Sequence, residues 1–501
     1  MLTLGTIPTG SPRNRPLGSR LMARREPLCL LTAVLLLAGC SDNGVRSVSA
    51  EPIPASTVAP TTTIPAEAVA EGVGDDLFPD LGNPGIDVQR YDLRLDYDPV
   101  AERVEGTVQV ALRLTEPRER ITLDAVGLEV SQVEVDGRPA RFSVDDPELR
   151  IELAGRTEAG AEVRVDVTYS ASTGGRDSAV GLDVGWFETA DGAYVLNEPD
   201  GARYWMPCND HPSDKAVWRF DIGVPDGLTA VANGGLVSDV GGRWVWAEDD
   251  PMATYLVQVL VGDYRVVEGT TPEGLPLSSA VVGEGVGDVQ PYLDVTVRQL
   301  EFFEQRFGPY PLDRYGLAIT DSDPGLAMET QGRSLFSRDD MPGGEPLYLQ
   351  HLLLAHELAH QWFGNAVSPA SWREIWLNES FATYAEWMWL EHVGFGSVAE
   401  SAAQALVTRP YGSPASPGAD GLFSANSYQG GAVTLHALRL TIGDEAFFEL
   451  LRQWVVTNLG GTGSTKEFIG LAEQVSGRSL TTFFADWLFA DRPPAAFPGA
   501  A

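Results

Sequence analysis

His356-Glu357-Leu358-Ala359-His360 sets two imidazoles four residues apart, with a carboxylate directly after the first. On an α-helix, residues i and i+4 lie one above the other on the same face, so both rings can turn a nitrogen toward one point. Glu357, one residue on, points beside that point, where a carboxylate can take a proton from a metal-bound water. The flanks carry a helical apolar pattern. Leu352, Leu353, Ala355, Leu358 and Ala359 are continued by Trp362 and Phe363 and closed by Gly364-Asn365. A helix over 347–363 is therefore expected. With six histidines in 501 residues, a chance occurrence of this pattern is rare.

A third ligand follows. Eighteen residues separate His360 from Glu379, which sits in Trp376-Leu377-Asn378-Glu379-Ser380-Phe381-Ala382-Thr383-Tyr384. That segment also has helical spacing, and a second helix packed on the first can aim Glu379 at the same metal. Two neutral imidazoles and one carboxylate suit one Zn2+ per chain and leave the fourth position open for water, the catalytic arrangement. The bland reading of the same residues is a buried polar cluster without metal.

His356 through Asn365 (HELAHQWFGN), with Trp372-Arg373-Glu374-Ile375-Trp376-Leu377-Asn378-Glu379, resembles the M1 family of zinc aminopeptidases, the gluzincins. Further stretches resemble it too: Asn83-Pro84 into Ile86–Leu93, Glu198-Pro199-Asp200-Gly201-Ala202-Arg203, Pro207–Pro212 and Pro251–Val257. The resemblance covers roughly residues 80 to 490. It implies a zinc-dependent aminopeptidase that removes N-terminal residues from peptides by metal-activated water. It also assigns roles. Leu326-Ala327-Met328-Glu329-Thr330 matches the family's Gly-x-Met-Glu-Asn strand except that Leu326 replaces glycine and Thr330 asparagine, and Glu329 would bind the substrate's α-amine. Glu198 would be the second amine partner. Tyr428, in Tyr428-Gln429-Gly430-Gly431, would stabilise the oxyanion, although Gly430 stands where the family has lysine. Glu357 and Tyr428 are thus the expected catalytic residues and His356, His360 and Glu379 the metal ligands. Larger members carry a further helical domain. About 120 residues follow Glu379, so that domain is expected to be absent.

The N-terminus has a different character. Arg24-Arg25 precede an apolar run from Leu28 to Leu37 that ends in Leu37-Ala38-Gly39-Cys40. The run is too short to span a bilayer and suits a signal-peptide core. Its end resembles a bacterial lipobox, which would leave Cys40 as a lipidated N-terminus and the enzyme on the outer face of the cell membrane. An ordinary secretory signal is the other reading, and Met22 is an alternative start. Of Cys29, Cys40 and Cys208, only Cys208 would then keep a free thiol, and no internal disulfide forms. Net charge is −35, and Lys215 and Lys466 are the sole lysines. Such acidity argues against nucleic-acid partners.

Residues 41–80 are rich in Ser, Thr, Pro, Ala and Val, as in Thr57–Pro65, and read as a disordered tether. From about 85 to 270 short runs alternate apolar and polar residues, among them Tyr91–Tyr97, Gly106–Leu114 and Ala161–Val167. Later segments are helical: Val295–Phe307, Ala432–Ile442, Glu445–Val456 and Lys466–Val475. The expected fold is α+β and multidomain, a signal segment (1–39), lipidated Cys40 and linker (40–80), an N-terminal β-sheet domain (81–270), and a thermolysin-like, mainly helical zinc catalytic domain (271–501). The expected partners are peptides with a free N-terminus and, through lipid, the membrane. Two other functions fit less of the sequence: a zinc endopeptidase with an opened cleft, and a non-catalytic peptide-binding lipoprotein.

Overall fold

The computed structural model describes residues 72–499 apart from 179, 191, 284–287 and 322–325. The described residues fall in one compact unit, 67–501. The expected signal segment, Cys40 and most of the tether lie outside them. Residues 72–80, read from sequence as the end of the tether, are packed instead. Phe78 and Leu81 are buried, and Asp75 accepts hydrogen bonds from the backbone N–H of Leu77 (2.7 Å), Phe78 (3.1 Å) and Trp372 (2.7 Å).

The first half is β-sheet. An eight-stranded sheet runs, in spatial order, through Gly235–Val240, Arg243–Ala253, Lys215–Gly223, Ile86–Asp98, Arg103–Leu114, Glu162–Ser172, Glu129–Val135 and Arg138–Pro139. Ile86–Asp98 pairs parallel with Lys215–Gly223 and antiparallel with Arg103–Leu114. Its buried Val88, Tyr91, Leu93, Leu95 and Tyr97 alternate with solvent-facing residues. A bulge between Val88 and Arg90 accounts for the single break in period. A five-stranded sheet contains Ala193–Leu196, buried at all four positions, whose end delivers Glu198.

One further sheet carries the chain into the helical half. A four-stranded sheet pairs Tyr264–Thr270 with Pro276–Val282, then Leu317–Thr320 and Ser334–Ser337. It spans the boundary expected at 270. The helices follow: α1 (Gln290–Phe307), α2 (Tyr348–Ala359), α3 (Trp376–Val393), α4 (Val398–Thr408), α5 (Gly431–Ile442), α6 (Asp444–Asn458), α7 (Thr465–Ser476) and α8 (Thr481–Phe484). The sequence reading did not anticipate α4, although Ser397 and Glu400 form a reciprocal capping box at its start. Helix α2 ends at Ala359, not Phe363. His360 is its C-cap, and the Nε1–H of Trp362 donates to the carbonyls of Gly308 and Pro309 after α1. No helix among the described residues is long and apolar enough to cross a membrane.

The halves are tied through polar groups at their junction. Lys215, on a strand of the large sheet, donates from Nζ to the carbonyls of Asn365 (2.6 Å), Ala366 (3.2 Å) and Gly461 (3.4 Å). The buried Arg333 guanidinium donates to the Ala232 carbonyl at 2.7 Å and the Ser278 carbonyl at 2.8 Å. Trp372, just before α3, packs edge-on against Phe78 and Tyr255. These contacts fix the entry of α3 and the exit of α2, the two helices that build the site.

Candidate metal centre and active site

Helices α2 and α3 bring His356, His360 and Glu379 together, with one ligand atom from each within 4.8 Å of the others. His356 Nε2 lies 3.3 Å and His360 Nε2 3.6 Å from Glu379 Oε2. The remote nitrogens are engaged elsewhere. His360 Nδ1 is 3.1 Å from the Phe363 carbonyl, which can only accept, so Nδ1 carries the proton. His356 Nδ1 is 2.5 Å from Glu386 Oε1. Both Nε2 lone pairs are thereby freed toward one point, the outer-shell pattern of ligating histidines.

Glu386 was not anticipated from the sequence. It lies seven residues after Glu379, two turns along the same face of α3, and that spacing was the available signal.

Around the three donors lies a cavity of about 430 Å³, lined by Glu198, Glu329, Glu357, Glu386 and Tyr428 and by apolar Leu182, Leu196, Leu326, Met328, Leu352, Leu353 and Phe423. Every expected site residue within the described range reaches it. Glu329 follows Met328, which bridges to Leu335 of the four-stranded sheet. The Glu329 carbonyl accepts from Asn365 Nδ2 (2.7 Å) and Gln361 Nε2 (3.2 Å), both just past the end of α2. Its Oε1 and the Oε1 of Glu198 are buried without a hydrogen-bond partner. The Tyr428 ring stacks 5.9 Å from that of His356, and its hydroxyl helps lower the Glu379 carboxyl.

The departures from the family strand and loop have local reasons. Thr330 Oγ1 accepts from Gln258 Nε2 at 2.7 Å and donates to the Arg333 carbonyl at 2.5 Å. A Cβ on Gly430 would stand 2.8 Å from Arg409 Nη1, so the guanidinium occupies the room a lysine would need.

Five glutamates share this cavity with two imidazoles. Burial, then the neighbouring carboxylates, raises Glu198 well above the usual range. Burial likewise raises Glu357, with Glu329, Glu379 and Glu386 adding and His356 opposing. Burial raises Glu329 and Glu386 too, each opposed by a histidine. Glu379 is lowered despite burial, because His360 and His356 outweigh it. Burial works against the His356 imidazolium, but Glu379 and Glu386 override it and raise the group well above its ordinary value. The cluster is short of positive charge, and its orphaned oxygens have no internal partner. A dication between His356, His360 and Glu379 and a cationic ligand at Glu198 and Glu329 would supply both. The donor set of two nitrogens and one oxygen fits Zn2+ with a position left open.

Comparison with known proteins agrees in extent. Residues 88–256 match the Peptidase M1 N-terminal domain and residues 292–487 the Peptidase family M1 domain. Aminopeptidase M1-D of Oryza sativa subsp. japonica is 30% identical over 457 residues, covering 84% of this chain and 51% of the relative. Probable aminopeptidase 1 of Saccharolobus solfataricus is 26% identical over 448 residues, covering 82% and 54%. The chain spans about half the length of these curated relatives. A variant of the M1 zinc metallopeptidase from Deinococcus radiodurans, solved with a Tyr-Ser-Ala substrate, superposes with a TM-score of 0.77 at 30% identity, over 85% of this chain and 99% of that one. A two-domain M1 zinc metallopeptidase bound to L-arginine gives 0.76 at 30% identity, over 86% and 100%.

Proposed function

The chain belongs to peptidase family M1, and on that premise we propose that it is a zinc aminopeptidase acting on peptides with a free N-terminus. The observation that carries this reading is that Glu198 and Glu329, in the same cavity as the three metal donors, each bury one carboxylate oxygen without a hydrogen-bond partner. A peptide's α-ammonium supplies the charge and the N–H donors that these oxygens lack. Anchoring the terminus there puts the first peptide bond, and no later one, at the centre.

Zn2+ held by His356, His360 and Glu379 would polarise the scissile carbonyl and acidify its water. The residues around it do the rest. Glu357, beside the donors and raised by burial, takes the water proton and delivers it to the leaving amine. Tyr428 keeps its hydroxyl proton, since burial and the Glu379 charge raise it well above the usual phenol, and can donate that hydrogen to the developing oxyanion. Glu386 and the Phe363 carbonyl hold the two imidazoles in the ligating tautomer.

Replacing Glu357 with Gln should leave zinc content unchanged and lower kcat by about 10²- to 10⁴-fold. Full turnover by a zinc-loaded Glu357→Gln protein would remove the assignment. A matched peptide pair, free and N-acetylated, tests the amine anchor. Equal cleavage, or preference for the blocked peptide, would favour an endopeptidase.

We also propose that Cys40 anchors the enzyme by lipid to the outer face of the membrane, on the strength of Leu37-Ala38-Gly39-Cys40 after an apolar core. Cys40→Ser should move the protein from the membrane fraction to the soluble one. Unchanged partitioning would remove the anchor.

A further inference from the structure

The face of α2 that presents His356 and Glu357 extends beyond the cavity. Tyr348, Leu352 and His356 stand at four-residue intervals, as do Leu349, Leu353 and Glu357, so two rows run side by side along the helix. Leu352 and Leu353 line the cavity. One turn further out, Tyr348 is 49% and Leu349 46% exposed. Phe395, 46% exposed, meets the Tyr348 ring edge-on at 5.7 Å. Tyr348 stands in the same row as His356, which places it on the cavity side of the helix. The outcome is an apolar strip, open to solvent and continuous with the lining of the site. Contiguous exposed apolar side chains of this size mark binding surfaces.

The polarity of the site decides which part of a peptide meets the strip. Glu329 is held by Gln361 and Asn365 and lies 3.9 Å from His360, so the amine end is fixed at the C-terminal end of α2. A chain that starts there and crosses the metal donors departs toward the N-terminal end of the helix. At 1.5 Å per residue, Leu352 lies about 6 Å and Leu349 about 10 Å along the axis from His356. Extended peptide advances about 3.3 Å per residue. Leu352 and Leu353 therefore match the third residue of a substrate, and Leu349, Tyr348 and Phe395 the fourth.

We propose that this strip is the binding track for the departing side of the substrate, and that it selects peptides of four or more residues with large apolar side chains at the third and fourth positions. The proposal rests on the aminopeptidase reading above and deepens it.

The test uses the zinc-loaded full chain, leucine p-nitroanilide and two tetrapeptides, Leu-Ala-Leu-Phe and Leu-Ala-Gly-Gly. The apolar tetrapeptide should have the higher kcat/KM by about five- to tenfold, carried mainly by KM, as partial burial of two large side chains requires. The Tyr348→Ser/Leu349→Ser protein, altered only at exposed positions, should lose the share of that preference owed to the fourth residue, about two- to threefold, keep the share that Leu352 and Leu353 give the third, and hydrolyse the anilide as before. Equal kcat/KM on the two tetrapeptides, with the anilide cleaved, overturns the proposal alone, as does a preference undiminished in the variant. Cleavage of neither anilide nor tetrapeptides overturns the aminopeptidase reading and this proposal with it.

Discussion

Glu386 touches no substrate in the proposed reaction, yet it controls the nitrogen that His356 offers to metal. Replacing it with Gln removes the anionic partner at 2.5 Å and should weaken zinc binding by about 10- to 100-fold, measured by chelator competition. The contrast with the ligands shows what single residues reveal in a sequence. His356, His360 and Glu379 are legible because metal chemistry restricts residue type and helix geometry restricts spacing. Glu386 satisfies only a hydrogen bond, which a carbonyl supplies at His360, so no residue type is compelled. His436 is a second case. It is buried against Tyr384 and Phe497, and burial, then Arg439, pushes its imidazole down to about 4. The unfolded chain, with an ordinary imidazole near 6.5, binds the proton first as pH falls. Stability is therefore lost between about pH 6.5 and 4. The melting-temperature advantage of wild type over His436→Gln should shrink across that window.

Elements were more legible in kind than in extent. Periodicity located α1, α2, α3, α5, α6 and α7, because each carries apolar residues at helical spacing, but it ran α2 through Trp362 and Phe363. Those side chains are apolar for a different reason, since they pack against the end of α1 after the helix has stopped. The π-helical turn Asn426–Gly430 that presents Tyr428 was invisible, because tertiary contacts make it. Ser380 Oγ donates to the Ser427 carbonyl at 2.5 Å, drawing the turn onto α3. That approach depends on Gly431, where an added Cβ would lie 1.9 Å from Ser380 Oγ and 2.6 Å from its Cβ. Gly431→Ala should destabilise the protein by about 1–3 kcal/mol through overpacking. It should also lower zinc affinity, since Ser380 adjoins Glu379. Denaturant unfolding and zinc titration would read the two effects, and Ser380→Gly in the same chain should restore part of both.

At the scale of the whole molecule, the β-rich first half and helical second half were legible from the change in period, whereas the ties between them were not. Lys215 reads in sequence as one cation among acids. In the fold, burial pushes its amine down to about 7, while three carbonyls at 2.6, 3.2 and 3.4 Å face its three N–H donors. That match favours the charged ammonium over the neutral amine. Lys215→Met should lower stability by about 2–4 kcal/mol, the scale of charge-assisted hydrogen bonds left unmade, with denaturant midpoint as the measure.

The same burial leaves a chemical signature. The only other lysine, Lys466, is exposed on α7. An acylating reagent meets a single open lysine on the described surface, so coupling through that residue would attach the enzyme to a support in one orientation. Lys215 can be acylated only when the strand that bears it parts from Asn365 and Gly461. A second label, located at Lys215 by peptide mapping, would therefore time the moment at which its strand leaves the carbonyls of Asn365, Ala366 and Gly461.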